Sequence, residues 1–234
     1  MNKLLKTLPS FMVTFAVSCA TAVALLAASA NANAEEVKGD AAVGKTKIAM
    51  CIGCHGIAGY QASFPEIYKV PKISGQGAKY IVSALNAYKT GERKHPSMRG
   101  IAQTLTDQDM ADIAAYYSVH GAVEGATLDA KPSKQPSAQV AALLQKAACI
   151  SCHGENFAKP ISPDYPKIAG QHSDYLFVSL KAYKTENNPQ IGRSNGVMAG
   201  MVKQFSNAEL KEIAKYVSSL DGDLKTVPQS SFRK

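Results

Sequence analysis

The stretch Ala49-Met50-Cys51-Ile52-Gly53-Cys54-His55-Gly56 returns later in the chain as Ala147-Ala148-Cys149-Ile150-Ser151-Cys152-His153-Gly154. The match extends outward from the cysteines. Pro71-Lys72-Ile73-Ser74-Gly75-Gln76 answers to Pro166-Lys167-Ile168-Ala169-Gly170-Gln171, and Ala87-Tyr88-Lys89-Thr90 answers to Ala182-Tyr183-Lys184-Thr185. Tyr80 aligns with Tyr175, and the segment opening at Leu105-Thr106-Asp107 aligns with the one opening at Phe205-Ser206-Asn207. The numbering offset drifts by a few residues, which places the insertions between elements, where loops absorb them. One structural unit is built twice.

Both units read as helical. Asp40 can cap a helix from Ala41 to Met50, and Ser137 one that includes Val140 to Ala148. Middle helices are expected over Lys79 to Lys89 and Asp174 to Lys184. The last helices open with the capping-box patterns Thr106-Asp107-Gln108-Asp109 and Ser206-Asn207-Ala208-Glu209. Their apolar residues recur at helical spacing: Met110, Ile113, Ala114 and Tyr117 in one, Leu210, Ile213, Ala214 and Val217 in the other. No strand pattern stands out, so the fold class expected is all-α. Residues 126–136, within a Gly-, Pro-, Lys- and Ser-bearing stretch, read as a linker between domains at 35–125 and 137–234.

Residues 1–34 read as a secretory signal peptide: basic Lys3 and Lys6, an apolar run, then the small-x-small site Ala32-Asn33-Ala34. An uncleaved anchor is the alternative, which Thr14, Ser18, Thr21 and Ser29 disfavour. Cys19 leaves with this segment, and four cysteines remain in an exported protein. No later apolar run is long enough to span a membrane.

Cys51-Ile52-Gly53-Cys54-His55 and Cys149-Ile150-Ser151-Cys152-His153 fit the C-x-x-C-H pattern of haem c attachment. Two thiols three positions apart reach the two vinyl groups of one porphyrin, and the next residue places an imidazole under the iron. Two covalently bound haem c groups are therefore expected. The rival readings are a thioredoxin-like pair, which lacks its βαβ setting, and a zinc site, which leaves the histidine after each pair unexplained. A buried prosthetic group would also supply core that units under 100 residues, with few large apolar side chains, are short of.

The sixth ligand is expected in the loop before each last helix, where Met98 aligns with Met198. Met201 is the rival to Met198, but its counterpart is Ile101, which cannot ligate. Met50, Met110 and Met201 otherwise read as core filler. Each proximal histidine needs a partner for its other ring nitrogen. A carbonyl of the loop at Pro71 or Pro166 would serve; a proline that only shapes its loop is the alternative. Gly75 and Gly170 can admit close backbone approach to a porphyrin. His95, His120 and His172 read as surface residues. Arg93 and Arg193 align, either paired with haem propionates or solvated.

These motifs resemble the cytochrome c4 family, two class I cytochrome c domains in tandem after a signal peptide, over essentially the whole mature chain. The resemblance implies His55/Met98 and His153/Met198 at the two irons, with the Pro71 and Pro166 carbonyls accepting from the histidines. It implies a periplasmic electron carrier that is not an enzyme, with haems facing a shared interface and electrons passing to a terminal haem–copper oxidase. A quinol-oxidising complex is the kind of donor expected, and nucleic acid is not a partner. Loose membrane association is compatible with such a carrier, and the sequence sets no oligomeric state. The segment Ser194-Asn195-Gly196-Val197-Met198 is the one departure from the family's usual Met environment.

Two other functions are kept open: a di-haem oxidoreductase (peroxidase or sulfur-compound dehydrogenase), and a cytochrome subunit of a flavoprotein dehydrogenase. Ligand candidates at both irons disfavour the former. Charge gives direction. Residues 35–130 carry ten basic and ten acidic side chains; residues 131–234 carry fourteen and eight, a net +6. A basic second domain would steer docking to an acidic partner.

Overall fold

The computed structural model describes residues 37–228; the signal segment and Cys19 lie outside them. In the first half, α1 (Ala41–Lys47) and α2 (Ala49–His55) lead into a two-residue hairpin of β1 (Gln61–Ala62) and β2 (Tyr68–Lys69). Then come α3 (Ala78–Thr90), β3 (Arg93–Lys94), α4 (Pro96–Ala102) and α5 (Asp107–Val119). The second half repeats the order without the hairpin: α6 (Ala138–Lys146), α7 (Ile150–His153), α8 (Ser173–Ala182), β4 (Gly192–Arg193), α9 (Gly196–Lys203) and α10 (Asn207–Ser219).

The expected caps form. The Asp40 carboxylate accepts from the backbone N–H of Ala42 and Val43, and Ser137 Oγ from Val140. Both capping boxes close reciprocally, Thr106 with Asp109 and Ser206 with Glu209. Two expectations are corrected. The first helix does not run unbroken to Met50: it ends at Lys47, and α2 begins after Ile48. In the second half the helix stops at Lys146, because Ala148 takes a left-handed φ of 46° just before Cys149.

Each half has its own apolar cluster. Met110, Ile113, Ala114 and Tyr117 of α5 meet Ile48, Ile81 and Leu85 in the first. In the second, Leu210, Ile213, Ala214 and Val217 of α10 meet Leu143, Leu144, Phe157 and Leu176. The segment 126–136 is tied to the second half. Lys159 Nζ donates to Leu128 O at 2.6 Å, and Tyr216 Oη to Lys134 O at 2.9 Å.

The halves meet through polar contacts. Antiparallel β3 and β4 pair Arg93 with Arg193, and Ser194 N donates to Glu92 O at 2.8 Å. Both the backbone N–H and the Nζ of Lys69 donate to Asp174, at 3.1 and 3.2 Å. Lys72 Nζ donates to Gly170 O at 2.6 Å, and Lys181 pairs with Glu66. The C-terminal segment returns to the first half, where Lys225 N donates to Ser74 O at 3.0 Å. These strands, two residues long, carry no alternation a sequence reading could detect.

The first half closes where α1 crosses α5. A Cβ added at Gly44 would stand 2.0 Å from the backbone oxygen of Asp112. Lys47 clips the same crossing, with Nζ 2.8 Å from Asp109 and 2.7 Å from Asp112. Replacing a helical glycine by alanine ordinarily stabilises by up to about 1 kcal/mol. At Gly44 the overpacking reverses the sign: Gly44→Ala lowers stability by about 1–3 kcal/mol in denaturant unfolding, and an unchanged or raised midpoint would contradict this helix crossing.

Candidate functional site

The two C-x-x-C-H segments occupy α2 and α7 with the stretch just before it, each against its own cluster. Cys51 and Met98 both pack against the cluster that holds Tyr117; Cys149 and Met198 both pack against the one that holds Leu210. All four cysteines are free, and among the described residues no three of His, Cys, Asp and Glu gather into a metal cluster. Before haem attachment, burial pushes the thiols of Cys51 and Cys149 up to about 11.

The histidines are fixed on one side. His55 Nδ1 lies 2.8 Å from Pro71 O, and His153 Nδ1 lies 3.0 Å from Pro166 O. A carbonyl can only accept, so Nδ1 carries the proton and Nε2 keeps its lone pair. Burial lowers both pKa values; the carbonyls offset this in part, and His95 adds a further lowering at His55. Both imidazoles are therefore neutral at pH 7, the form that ligates metal.

The methionines divide by exposure. Met98 and Met198 are half-buried, each packed against the cluster that holds a cysteine of its own half. Met201 is 37% exposed and Met50 is 58% exposed, so neither is core filler; Met110 is, at 0%. Met98 and Met198 also sit in helices α4 and α9, where loops were expected. Both helices start with a side-chain cap directed at the methionine's own backbone. His95 Nδ1 accepts from Met98 N at 3.4 Å, and Asn195 Oδ1 accepts from Met198 N at 3.0 Å. The alignment of His95 with Asn195 carried this signal, since both residue types can accept at an N-cap.

The three remaining histidines, expected at the surface, are half-buried and partnered. His95 is a cap, His120 stacks on Tyr116 with its Nδ1 2.9 Å from Ser74 Oγ, and His172 is half-buried at the start of α8. The arginines are not solvated either. Arg93 donates to Tyr80 Oη at 2.9 Å and lies over the rings of Tyr80 and Tyr88. Arg193 donates to Tyr175 Oη at 3.0 Å and Ser179 Oγ at 2.9 Å, and lies over Tyr175 and Tyr183. Gly75 and Gly170 take positive φ, 85° and 69°. Each turns its loop so that its N–H reaches the end of a last helix, Gly75 to Tyr117 O at 2.8 Å and Gly170 to Val217 O at 3.1 Å. A Cβ at Gly75 would stand 2.4 Å from Asp223 O.

The family model for cytochrome c matches the chain twice, at residues 41–118 and 137–221. A fold of two such units, each with one C-x-x-C-H segment, defines a tandem di-haem cytochrome c. Cytochrome c4 of Stutzerimonas stutzeri is 30% identical over 193 residues, covering 78% of this chain and 90% of that one. The crystal structure of reduced recombinant cytochrome c4 from Pseudomonas stutzeri superposes with a TM-score of 0.55 at 27% identity, covering 78% of this chain and all of that one. The chain belongs to the cytochrome c4 family. The thiosulfate dehydrogenase electron acceptor of Thiomonas intermedia (strain K12) is also similar, 25% identical over 73% of this chain and 78% of that one.

The chain is thus a di-haem electron-transfer cytochrome with two covalently bound haem c groups. Its residues fit those groups. Each half presents paired thiols, a neutral imidazole with one free nitrogen, and a thioether, around one apolar cluster. The buried Tyr117 hydroxyl has the Cys51 thiol beside it and, among the described residues, makes no well-formed hydrogen bond, as expected where a further group belongs. Loss of the Asn195 cap costs about 1 kcal/mol. Asn195→Ala should lower the unfolding free energy by about that amount and Asn195→Asp should leave it unchanged; equal behaviour of the two variants would refute the cap.

Proposed function

We propose that this chain is a periplasmic one-electron carrier. Cys51, Cys54, His55 and Met98 hold one haem, and Cys149, Cys152, His153 and Met198 hold the other. Domain limits of 35–125 and 137–234, and removal of 1–34, belong to the same reading. Each haem c supplies a one-electron ferric–ferrous couple. The chain's residues do the rest. The thiols anchor the porphyrin edge, the Pro71 and Pro166 carbonyls hold the imidazoles in the Nδ1–H tautomer, and the apolar clusters keep water away. Arg93 and Arg193 would each offer a guanidinium to a haem propionate, the kind of pair that charge-assisted hydrogen bonds stabilise.

The observation that carries the reading is the pairing of Met98 and Met198 with the clusters that also hold Cys51 and Cys149. With Met98 and Met198 each supplying a thioether to iron, no position would stay open for substrate, which favours a carrier over a peroxidase or a dehydrogenase. It also raises the reduction potential, which suits a protein feeding a terminal oxidase from a quinol-oxidising donor. Export to the periplasm rests on the signal-like residues 1–34; among the described residues no helix is long and apolar enough to cross a membrane. A second reading concerns the donor. The relative named as an electron acceptor of thiosulfate dehydrogenase favours a dehydrogenase as the source of electrons.

Optical and paramagnetic-resonance spectra test the ligands. Met98→Ala and Met198→Ala should each turn one haem high-spin, while Met201→Ala leaves both low-spin; the opposite result at Met198 and Met201 would reverse that assignment. Docking through the basic second half predicts that the rate with an acidic acceptor falls steeply as salt rises, because exposed charges are screened beyond about 10 Å at 0.1 M. A rate insensitive to ionic strength would remove that role.

A further inference from the structure

One peptide group in each half is shared with the other half. The peptide joining Pro71 to Lys72 accepts from His55 Nδ1 through its carbonyl, at 2.8 Å, and donates through its N–H to Gln171 Oε1, at 2.9 Å. The peptide joining Pro166 to Lys167 accepts from His153 Nδ1 at 3.0 Å and donates to Gln76 Oε1 at 2.9 Å. The glutamines close the contact with their amide nitrogens: Gln171 Nε2 donates to Lys72 O and Gln76 Nε2 to Lys167 O, both at 2.9 Å. A backbone N–H on one side and a backbone carbonyl on the other leave only one orientation of each amide. Each Oε1 is also held by a local donor, Gly77 N at 2.9 Å for Gln76 and His172 N at 3.0 Å for Gln171. Both glutamines are almost fully buried, 5% and 4% exposed.

We infer that Gln171 and Gln76 are positioning residues acting across the interface: each sets the electron donation of the other half's histidine to its iron, and so the reduction potential of the other half's haem. The inference rests on His55 and His153 being iron ligands. The chain of contacts runs Gln171 Oε1, Lys72 N–H, Pro71 C=O, His55 Nδ1–H, and its twin runs from Gln76 to His153. An amide that donates through nitrogen gains electron density at oxygen, and hydrogen bonds in such chains strengthen one another by roughly 10–30% each. A richer carbonyl draws harder on the ring proton and makes the imidazole a more basic ligand. A more basic ligand favours the ferric form, so the intact relay holds the potential down. Low exposure protects the effect, since water would otherwise replace the glutamine as acceptor. Simple interdomain glue would act on both halves alike. These relays are crossed, and that gives them a distinct signature.

The test is a redox titration of full-length holoprotein followed by NMR, in which the methyl lines of the two haems report separately. Gln171→Leu should raise the potential of the haem on Cys51 and Cys54 and leave the other in place. Gln76→Leu should do the reverse. Gln171→Glu keeps an oxygen acceptor for Lys72 N–H and should return the first potential to the wild-type value or below it. Equal shifts of both haems in either leucine variant, or no shift in either, would overturn the proposal and leave the glutamines as interface contacts. Wild-type protein without two low-spin haems would instead overturn the ligand reading beneath it, before any variant is compared.

Discussion

Each half of this protein is organised around a hydrogen bond from a histidine ring to a proline carbonyl well downstream, 2.8 Å in one half and 3.0 Å in the other. The histidine directly follows the second cysteine, so its backbone is set by the short helix of the C-x-x-C-H segment. The carbonyl that orients its ring comes from a separate loop. That loop is held in turn by a glycine whose N–H reaches the end of the last helix, Gly75 to Tyr117 and Gly170 to Val217. The last helix is fixed by its capping box and by a buried apolar face. The ring direction of one side chain is therefore anchored in the last helix of its half, which suits an electron carrier. A ligand that does not reorient when its metal changes charge keeps the reorganisation of each transfer small.

The interface between the halves follows a different logic from their interiors. It is built from backbone pairing of β3 and β4, ion pairs such as Lys69 with Asp174, and two buried glutamines bonded to backbone. Apolar contact tolerates sliding, whereas hydrogen bonds of fixed direction set one register. A polar interface of this kind holds two prosthetic groups in one relation, and its buried amides become a route by which one half acts on the other.

Much of this was legible in the sequence because it is local. Asp40, Ser137 and the two capping boxes announce helix starts by chemistry confined to three or four residues, and the apolar positions of the last helices recur at 3.6-residue spacing. The break at Ala148 was not legible, since alanine gives no hint of a left-handed backbone. Nor were helices α4 and α9, because each is short and opens on a residue, His95 or Asn195, that reads as a surface or loop position. Gln76 and Gln171 stood in plain view within the repeated motif, yet their partners lie some ninety to a hundred residues away in the opposite half. Repetition marked them as shared features, and only the packed structure supplies the other end of each bond. Exposure, too, is a property of packing: Met50 and Met201 look like core residues until their surroundings are known.

The attachment of one haem to each cysteine pair is the claim on which the rest stands. Mass spectrometry of the purified mature protein, intact and after proteolysis, tests it directly. The polypeptide should be heavier by two haems, with one haem on the peptide holding Cys51 and Cys54 and one on the peptide holding Cys149 and Cys152. A bare polypeptide mass, a single haem, or a disulfide within either pair would contradict it.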